Sequence, residues 1–170
     1  MPVEQRDVHN EAAFDVIIAT ADYPVIIVTT AAGQERAGCL VGFAGQVSIE
    51  PRRFLVGLSH SNHTCAVAQR AQHLAVHLPD RDNPALAELF GSETGSTIDK
   101  FAHCDWHTGP HALPILTASE AWFTGPILQR HDFGDHMGIL LGLSAASAPN
   151  RALAASRYSD VADLSPGHPQ

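Results

Sequence analysis

Side chains able to hold or move charge gather at two places in this chain. The first is HDFGDHMGILLG, residues 131–142. Met137–Leu141 is an apolar run suited to a buried strand, and His131, Asp132, Gly134, Asp135 and His136 stand directly before it. A tight turn accounts for the glycine and the aspartates, which bond their own backbone there. It does not account for His136, placed where the chain re-enters the interior. The second place is SHSNHT, residues 59–64. Ser59, Ser61, Asn62 and Thr64 offer short hydrogen-bonding side chains just before a helical run. Such a turn can hold a phosphate through side-chain and backbone donors. An ordinary helix cap would need only one of these residues, so both readings stand.

The 11 histidines raise metal binding as a further chemistry. His60 and His63 are close in sequence, as are His73 and His77, and HCDWH holds Cys104 and His107. On a strand, residues four apart share a face but stand about 13 Å from each other, too far to share one ion. Zinc needs three or four protein ligands, and no second half-site accompanies Cys104 and His107, so no metal centre is expected. Cys65 lies inside a helix start, where a thiolate is favoured, but its apolar setting reads as core. GxSxG, GxGxxG and GxxxxGK[ST] do not occur, which leaves the nucleophile-elbow, dinucleotide and P-loop signatures without support.

The elements that must position these residues read as follows. Phe14, Ile17, Ile18 and Ala21 follow helical spacing over Asn10–Ala21, with Asn10 as the cap and Pro24 beyond the end. Val25–Thr30 and Cys39–Val41 read as strands around the turn Ala32-Gly33-Gln34. QVSIEPRRFLVGLS holds two short strands broken at Pro51. SHSNHTCAVAQRAQ turns helical, capped by Asn62 or Thr64. HLAVHLP is a strand ending at Pro79. NPALAELFG is a short helix with Asn83 as cap, Pro84 in the first turn and Gly91 after the end. Residues 92–112 show no period and are expected as a long loop, of the kind that is usually functional or mobile. SEAWFTGPILQRH and MGILLGLSAAS form a hairpin. A polar tail from about residue 161 is expected to fray. Six or seven short strands and three helices, linked mostly by short turns, predict a mainly β, α+β chain: a small closed or partly closed barrel with helical decoration.

Composition narrows the class. A chain of 170 residues with 45% hydrophobic and 16% charged residues is expected to form one globular domain over 1–170. A net charge of −8 with scattered Lys and Arg argues against nucleic acid. No stretch has the length and apolarity to cross a bilayer, and MPVEQRDVHNEAAF does not read as a signal peptide. Three distant cysteines give no disulfide framework. Together these predict a cytoplasmic protein with no membrane partner.

Several segments taken in order resemble the flavin reductase-like, FMN-binding split-barrel family. They are YPVIIVTT, AGCLVGFAGQVSIEPRRFLVGLSHSNHT, HLAVHL, KFAHCDWHTGPHALPIL and GDH before an apolar strand. The resemblance runs from about Phe14 to about Asp160 and is closest to short-chain NAD(P)H:flavin oxidoreductases. It implies a homodimeric split β-barrel that uses FMN or FAD, with NADH or NADPH as hydride donor. It further implies a monooxygenase partner that receives the reduced flavin. The segment CLVGFAG would lie along the isoalloxazine ring, making Cys39, Leu40, Val41 and Gly42 ring contacts. SHSNHT would lie near the ribityl-phosphate end, His136 by the nicotinamide, and Tyr158 of RYSD over the same pocket. Many members carry a run close to TVSSFTSVS where this chain has LVGFAGQVS, so Gly42, Phe43, Ala44 and Gly45 stand where hydroxyl residues are common. That departure keeps a second expectation open, a flavin- or haem-binding barrel without reductase activity. A third is an enzyme of the same barrel acting on a small organic substrate, as pyridoxamine-phosphate oxidases do.

Overall fold

The computed structural model describes residues 7–167. In chain order it contains α1 (Val8–Ala21), β1 (Ile26–Ala32), β2 (Glu35–Val41), β3 (Ala44–Ser48), β4 (Arg53–Ser59), α2 (His63–Ala68) and β5 (His73–His77). Then follow α3 (Ala85–Ser92), β6 (Trp106–Thr108), β7 (Pro114–Leu116), β8 (Trp122–Asp132), β9 (His136–Leu141), β10 (Ala145–Ser147) and α4 (Tyr158–Val161). Eight strands form one sheet in the order β2-β1-β5-β8-β9-β4-β3, with β10 alongside β8, and all its pairings are antiparallel. The two outermost strands, β2 and β3, are joined by only Gly42 and Phe43. Two residues span roughly 7 Å, so the sheet curls round until its ends meet. The result is a half-open barrel, mostly β, as the sequence predicts.

Period-two patterning fills its interior. Ile26 and Val28, Cys39 and Val41, Val56 and Leu58, Leu74 and Val76, and Met137, Ile139 and Leu141 share one core, with Cys65 and Ala68 of α2 closing it. The opposite face of the β1 side is also covered: Ile27 packs with Leu86 and Phe90 of α3, Phe101 and Leu116. Burial on both faces explains why Val25–Thr30 is an unbroken apolar and β-branched run. Gly33 at φ 62° makes the β1–β2 turn.

Several local expectations are corrected. Helix α1 is capped by Asp7, whose side chain accepts from the His9 and Asn10 N–H groups, while Asn10 Nδ2 donates back to Asp7 Oδ2 at 2.8 Å. Asn10 therefore supports the cap from inside the first turn. Helix α2 is shorter than its apolar run suggests, and Asn62 caps it by accepting from the Thr64 N–H. In α3 the cap position is Pro84, with no side-chain bond, and the helix runs through Gly91 to Ser92. Gly91 serves packing there: a Cβ would meet Leu40 at 2.9 Å and Leu164 at 3.2 Å. Residues 92–112 are not featureless, since Asp99 caps a short 3-10 turn at Lys100–Ala102, and β6 pairs with β7. The tail folds back as α4, with Leu164 against the Gly91 position; residues 168–170 lie outside those described. Strand and helix numbers, ten and four among the described residues, exceed the expected count because three-residue strands carry no readable period.

Candidate functional site

The half-open mouth of the barrel brings the two chemical turns together. Strand β4 pairs with β9 so that Ser59 stands opposite His136. The His60 N–H donates to the Asp135 carbonyl at 3.0 Å, and His60 Nε2 lies 3.2 Å from Asp132 Oδ1. The 59–62 turn and the 132–136 turn thus form one surface. Its glycine, Gly134, takes φ 114°, and its N–H donates to Asp132 Oδ1 at 3.0 Å. That bond, followed by the one to His60, holds the Asp132 carboxyl below its usual range.

His136 is fixed on two sides. Its Nδ1 is 2.7 Å from Asp135 Oδ1, and its ring meets Phe43 edge to face with centroids 4.9 Å apart. The bond to His136, then the attraction between the two groups, holds the Asp135 carboxyl below its usual range. A carboxylate only accepts, so Nδ1 carries the hydrogen of this bond. The question His136 raises in the sequence is answered in part by Asp135, which orients it.

The four polar residues of SHSNHT divide. Ser59 Oγ and Ser61 Oγ lie 2.9 Å apart at the surface. Asn62 is occupied as the α2 cap. Thr64 is buried at 1% exposure, and its hydroxyl is the hydrogen-bond partner of the Cys39 thiol. Burial pushes that thiol up to about 11. Of the four, Ser59 and Ser61 alone keep their hydroxyls at the surface of the turn.

The CLVG segment divides similarly. Cys39 and Val41 point into the barrel core, and Leu40 packs beneath α3. What remains available is backbone, and β2 is the outermost strand at its end of the sheet, where alternate backbone groups lack a strand partner. A Cβ placed on Gly42 or Gly45 would meet no atom within 4 Å, so open space borders this backbone. Edge backbone, open glycines and a hydroxyl turn suit a flat, polar-edged ring with a phosphate tail. Tyr158 begins α4, where its N–H donates to the Tyr23 carbonyl and its neighbour Ser159 bonds Asp22; the Pro24–Arg157 bridge and the Ile26–Val41 pairing set this corner a few residues from the Val41–Gly42 end of β2.

Sequence reasoning missed the roles of four residues. Phe43 reads as one more apolar residue beside a strand. His60 and Asp132 gain meaning only from strand pairing. A fourth is Lys100, buried at 4% exposure, whose Nζ donates to the Gly38 and Phe90 carbonyls at 3.0 and 3.2 Å. Burial lowers its pKa from the ordinary lysine value. It ties β2 to α3 and lies beside a cleft of about 720 Å3 lined by Glu35, Arg36, His63 and residues 95–101. Among the described residues no three His, Cys, Asp or Glu side chains are placed to hold a metal ion.

Comparison with known proteins places this geometry. Residues 19–160 match the family described as flavin reductase like domain. The FMN reductase (NADH) RutF of Klebsiella pneumoniae is 32% identical over 127 residues, covering 75% of this chain and 77% of that protein. The FMN reductase (NADH) SmoA of Agrobacterium fabrum is 24% identical, over 75% and 71% of the two chains. Among solved structures, the NADH:FAD oxidoreductase SgcE6 of Streptomyces globisporus superposes with a TM-score of 0.76 at 20% identity, covering 90% of this chain and 92% of that one. Nitrilotriacetate monooxygenase component B from Mycobacterium thermoresistibile gives 0.74 at 20% identity, over 86% and 81%. With the match spanning nearly all of the barrel, the chain belongs to the flavin reductase-like family and carries its split-barrel fold.

Proposed function

We propose that this protein is an NAD(P)H-dependent flavin reductase that reduces FMN or FAD and passes the product to a monooxygenase partner. The carrying observation is the convergence of the 59–62 and 132–136 turns beside the open backbone of β2 and Gly42. When bound, the flavin supplies the hydride acceptor, its N5, and the nicotinamide supplies the donor carbon; the protein's task is stacking and orientation. Backbone of Leu40–Gly42 borders the ring's polar edge. Ser59 and Ser61 hold the phosphate end. His136 Nε2 holds the carboxamide or pyrophosphate of the donor, accepting when neutral and donating when protonated. Asp135 and Phe43 keep that imidazole from turning. No acid, base or nucleophile is needed for hydride transfer, which agrees with the lack of a nucleophilic motif. Tyr158, held at the corner it shares with Tyr23 near the Val41 end of β2, closes over the same pocket.

The assembly proposed is a homodimer. Helix α1 buries none of its 14 residues within the chain. Phe14, Val16 and Ile17 are each more than half exposed, as are Val47 and Ile49 by β3. Covering each such side chain is worth about 1.5–3 kcal/mol, a sum that a second copy would recover. Three free cysteines and the lack, among the described residues, of a helix able to cross a membrane support a reducing cytoplasmic setting.

The test is anaerobic. Protein with FMN or FAD is mixed with NADH or NADPH and the visible flavin band is followed. Bleaching that depends on the protein is expected. Flavin binding without bleaching by either donor would replace the reductase reading with that of a carrier, which the missing hydroxyls at 42–45 would favour. His136→Ala is expected to raise the donor KM roughly 10- to 100-fold, the loss of a hydrogen bond to a charged or strongly polar partner, with flavin affinity unchanged. Weakened flavin binding at a normal KM would remove His136 from the donor pocket.

A further inference from the structure

Phe43 lies in the CLVGFAG segment, but the ring contacts that the resemblance implies there stop at Gly42. Phe43 is 61% exposed, yet its backbone is fixed, because its carbonyl accepts the Gly57 N–H at 2.7 Å. Gly57 is needed for this approach: a Cβ there would lie 3.1 Å from Phe43 Cβ. The phenyl ring is steadied by His136 at 62° between planes, a contact that covers at most one of its two faces. On either side Gly42 and Gly45 leave bare backbone and open space. A large apolar ring that is both solvent-facing and immobilised forfeits burial energy, and aromatic rings recover it best against another ring in offset or edge contact.

We propose that Phe43 is a ring-stacking contact for a planar heteroaromatic group of the reaction, the flavin's or the nicotinamide's. The proposal rests on the flavin reductase reading and adds to it a specificity-determining residue. The exposed position means that Phe43 contributes little to the fold, so its removal separates binding from folding.

The experiment compares wild type with Phe43→Ala, Phe43→Leu and Phe43→Trp. Thermal melting checks folding. Quenching of flavin fluorescence gives Kd for FMN and FAD, and steady-state rates give the donor KM. Phe43→Ala and Phe43→Leu are expected to weaken one of the two ligands about tenfold, with Phe43→Trp close to wild type. A change in flavin Kd alone assigns the flavin ring; a change in donor KM alone that persists when His136 is also replaced by Ala assigns the nicotinamide, and one that vanishes in that background makes Phe43 a support for His136 and overturns the stacking role. Leu retains apolar volume without a π face, so a Leu variant equal to wild type overturns the stacking role. An Ala variant equal to wild type in both ligands overturns the proposal while leaving the reductase reading intact. Wild-type protein that neither binds flavin nor oxidises donor overturns both.

Discussion

Gly125→Ala is expected to abolish most of the folding stability, and its companion Gly45→Ala to leave stability within about 0.5 kcal/mol of wild type. The two glycines differ in what surrounds them. A Cβ on Gly125 would lie 1.8 Å from the Gly142 carbonyl oxygen and 2.7 Å from its carbonyl carbon. Both obstacles are backbone, and both are held. The Gly142 N–H donates to the Pro126 carbonyl at 3.0 Å, and the Ser144 N–H to the Thr124 carbonyl at 2.8 Å. Neither can retreat without unpairing β8 from its neighbours.

This crossing is also where the barrel bends. The first half of β8 pairs with β5 and β10, the second half with β9, and its register shifts between Ile127 and Gln129. Overpacking a core side chain costs typically 1–3 kcal/mol. A backbone clash at a strand crossing has no rotamer to relieve it and is expected to cost more than about 4 kcal/mol, a large part of a usual 5–15 kcal/mol. Urea unfolding of the two variants measures this. A Gly125→Ala midpoint near that of wild type would mean that β8 bends by a route other than this contact.

That bend marks the limit of what the sequence could disclose. β1 was legible because it is buried on both faces and shows it in an unbroken apolar run. The β1–β2 turn was legible because Gly33 must take a positive φ, and the β8–β9 hairpin because its strands flank the turn Asp132-Phe133-Gly134-Asp135. These signals are local. The approach of Gly125 to Gly142 is set by tertiary packing, and neither glycine announces it. Helix α1 misleads for a related reason: its apolar spacing predicts a core face, but none of its residues is buried against the described chain. At the site, the two polar turns were found by composition, yet their union depends on β4 pairing with β9. Thr64 and Cys39 were placed correctly along the chain, but whether a side chain faces the barrel interior or its mouth depends on how the sheet curls. Phe43 was hidden because its value lies in being exposed, which an apolar letter beside a strand does not suggest.

His77 gives the second large effect, an acid lability that begins well above the carboxylate range. It is fully buried; Nδ1 lies 3.3 Å from the Ile27 carbonyl, and Nε2 accepts the Leu116 N–H at 3.1 Å. The accepting nitrogen cannot take a proton without losing that bond, so the folded protein holds the Nδ1–H neutral form. Burial, and then the proximity of His107, lowers the pKa from 6.5 to about 4. Between those values the unfolded chain binds the proton and the folded chain does not. Stability is therefore complete above pH 6.5 and is lost as pH falls toward 4, by about 3 kcal/mol in all. His73, which stacks on His111 and is lowered by burial and then by that neighbour, drives the same trend more weakly from a half-buried position. The exposed carboxylates with lowered values act mainly below this window. His77→Gln retains one donor for Ile27 and one acceptor for Leu116 but cannot be charged. It is expected to be less stable than wild type at pH 8 and to show a much flatter urea midpoint between pH 7 and 5. Equal slopes for the two proteins over that interval would transfer the acid lability to other histidines and leave His77 as packing alone.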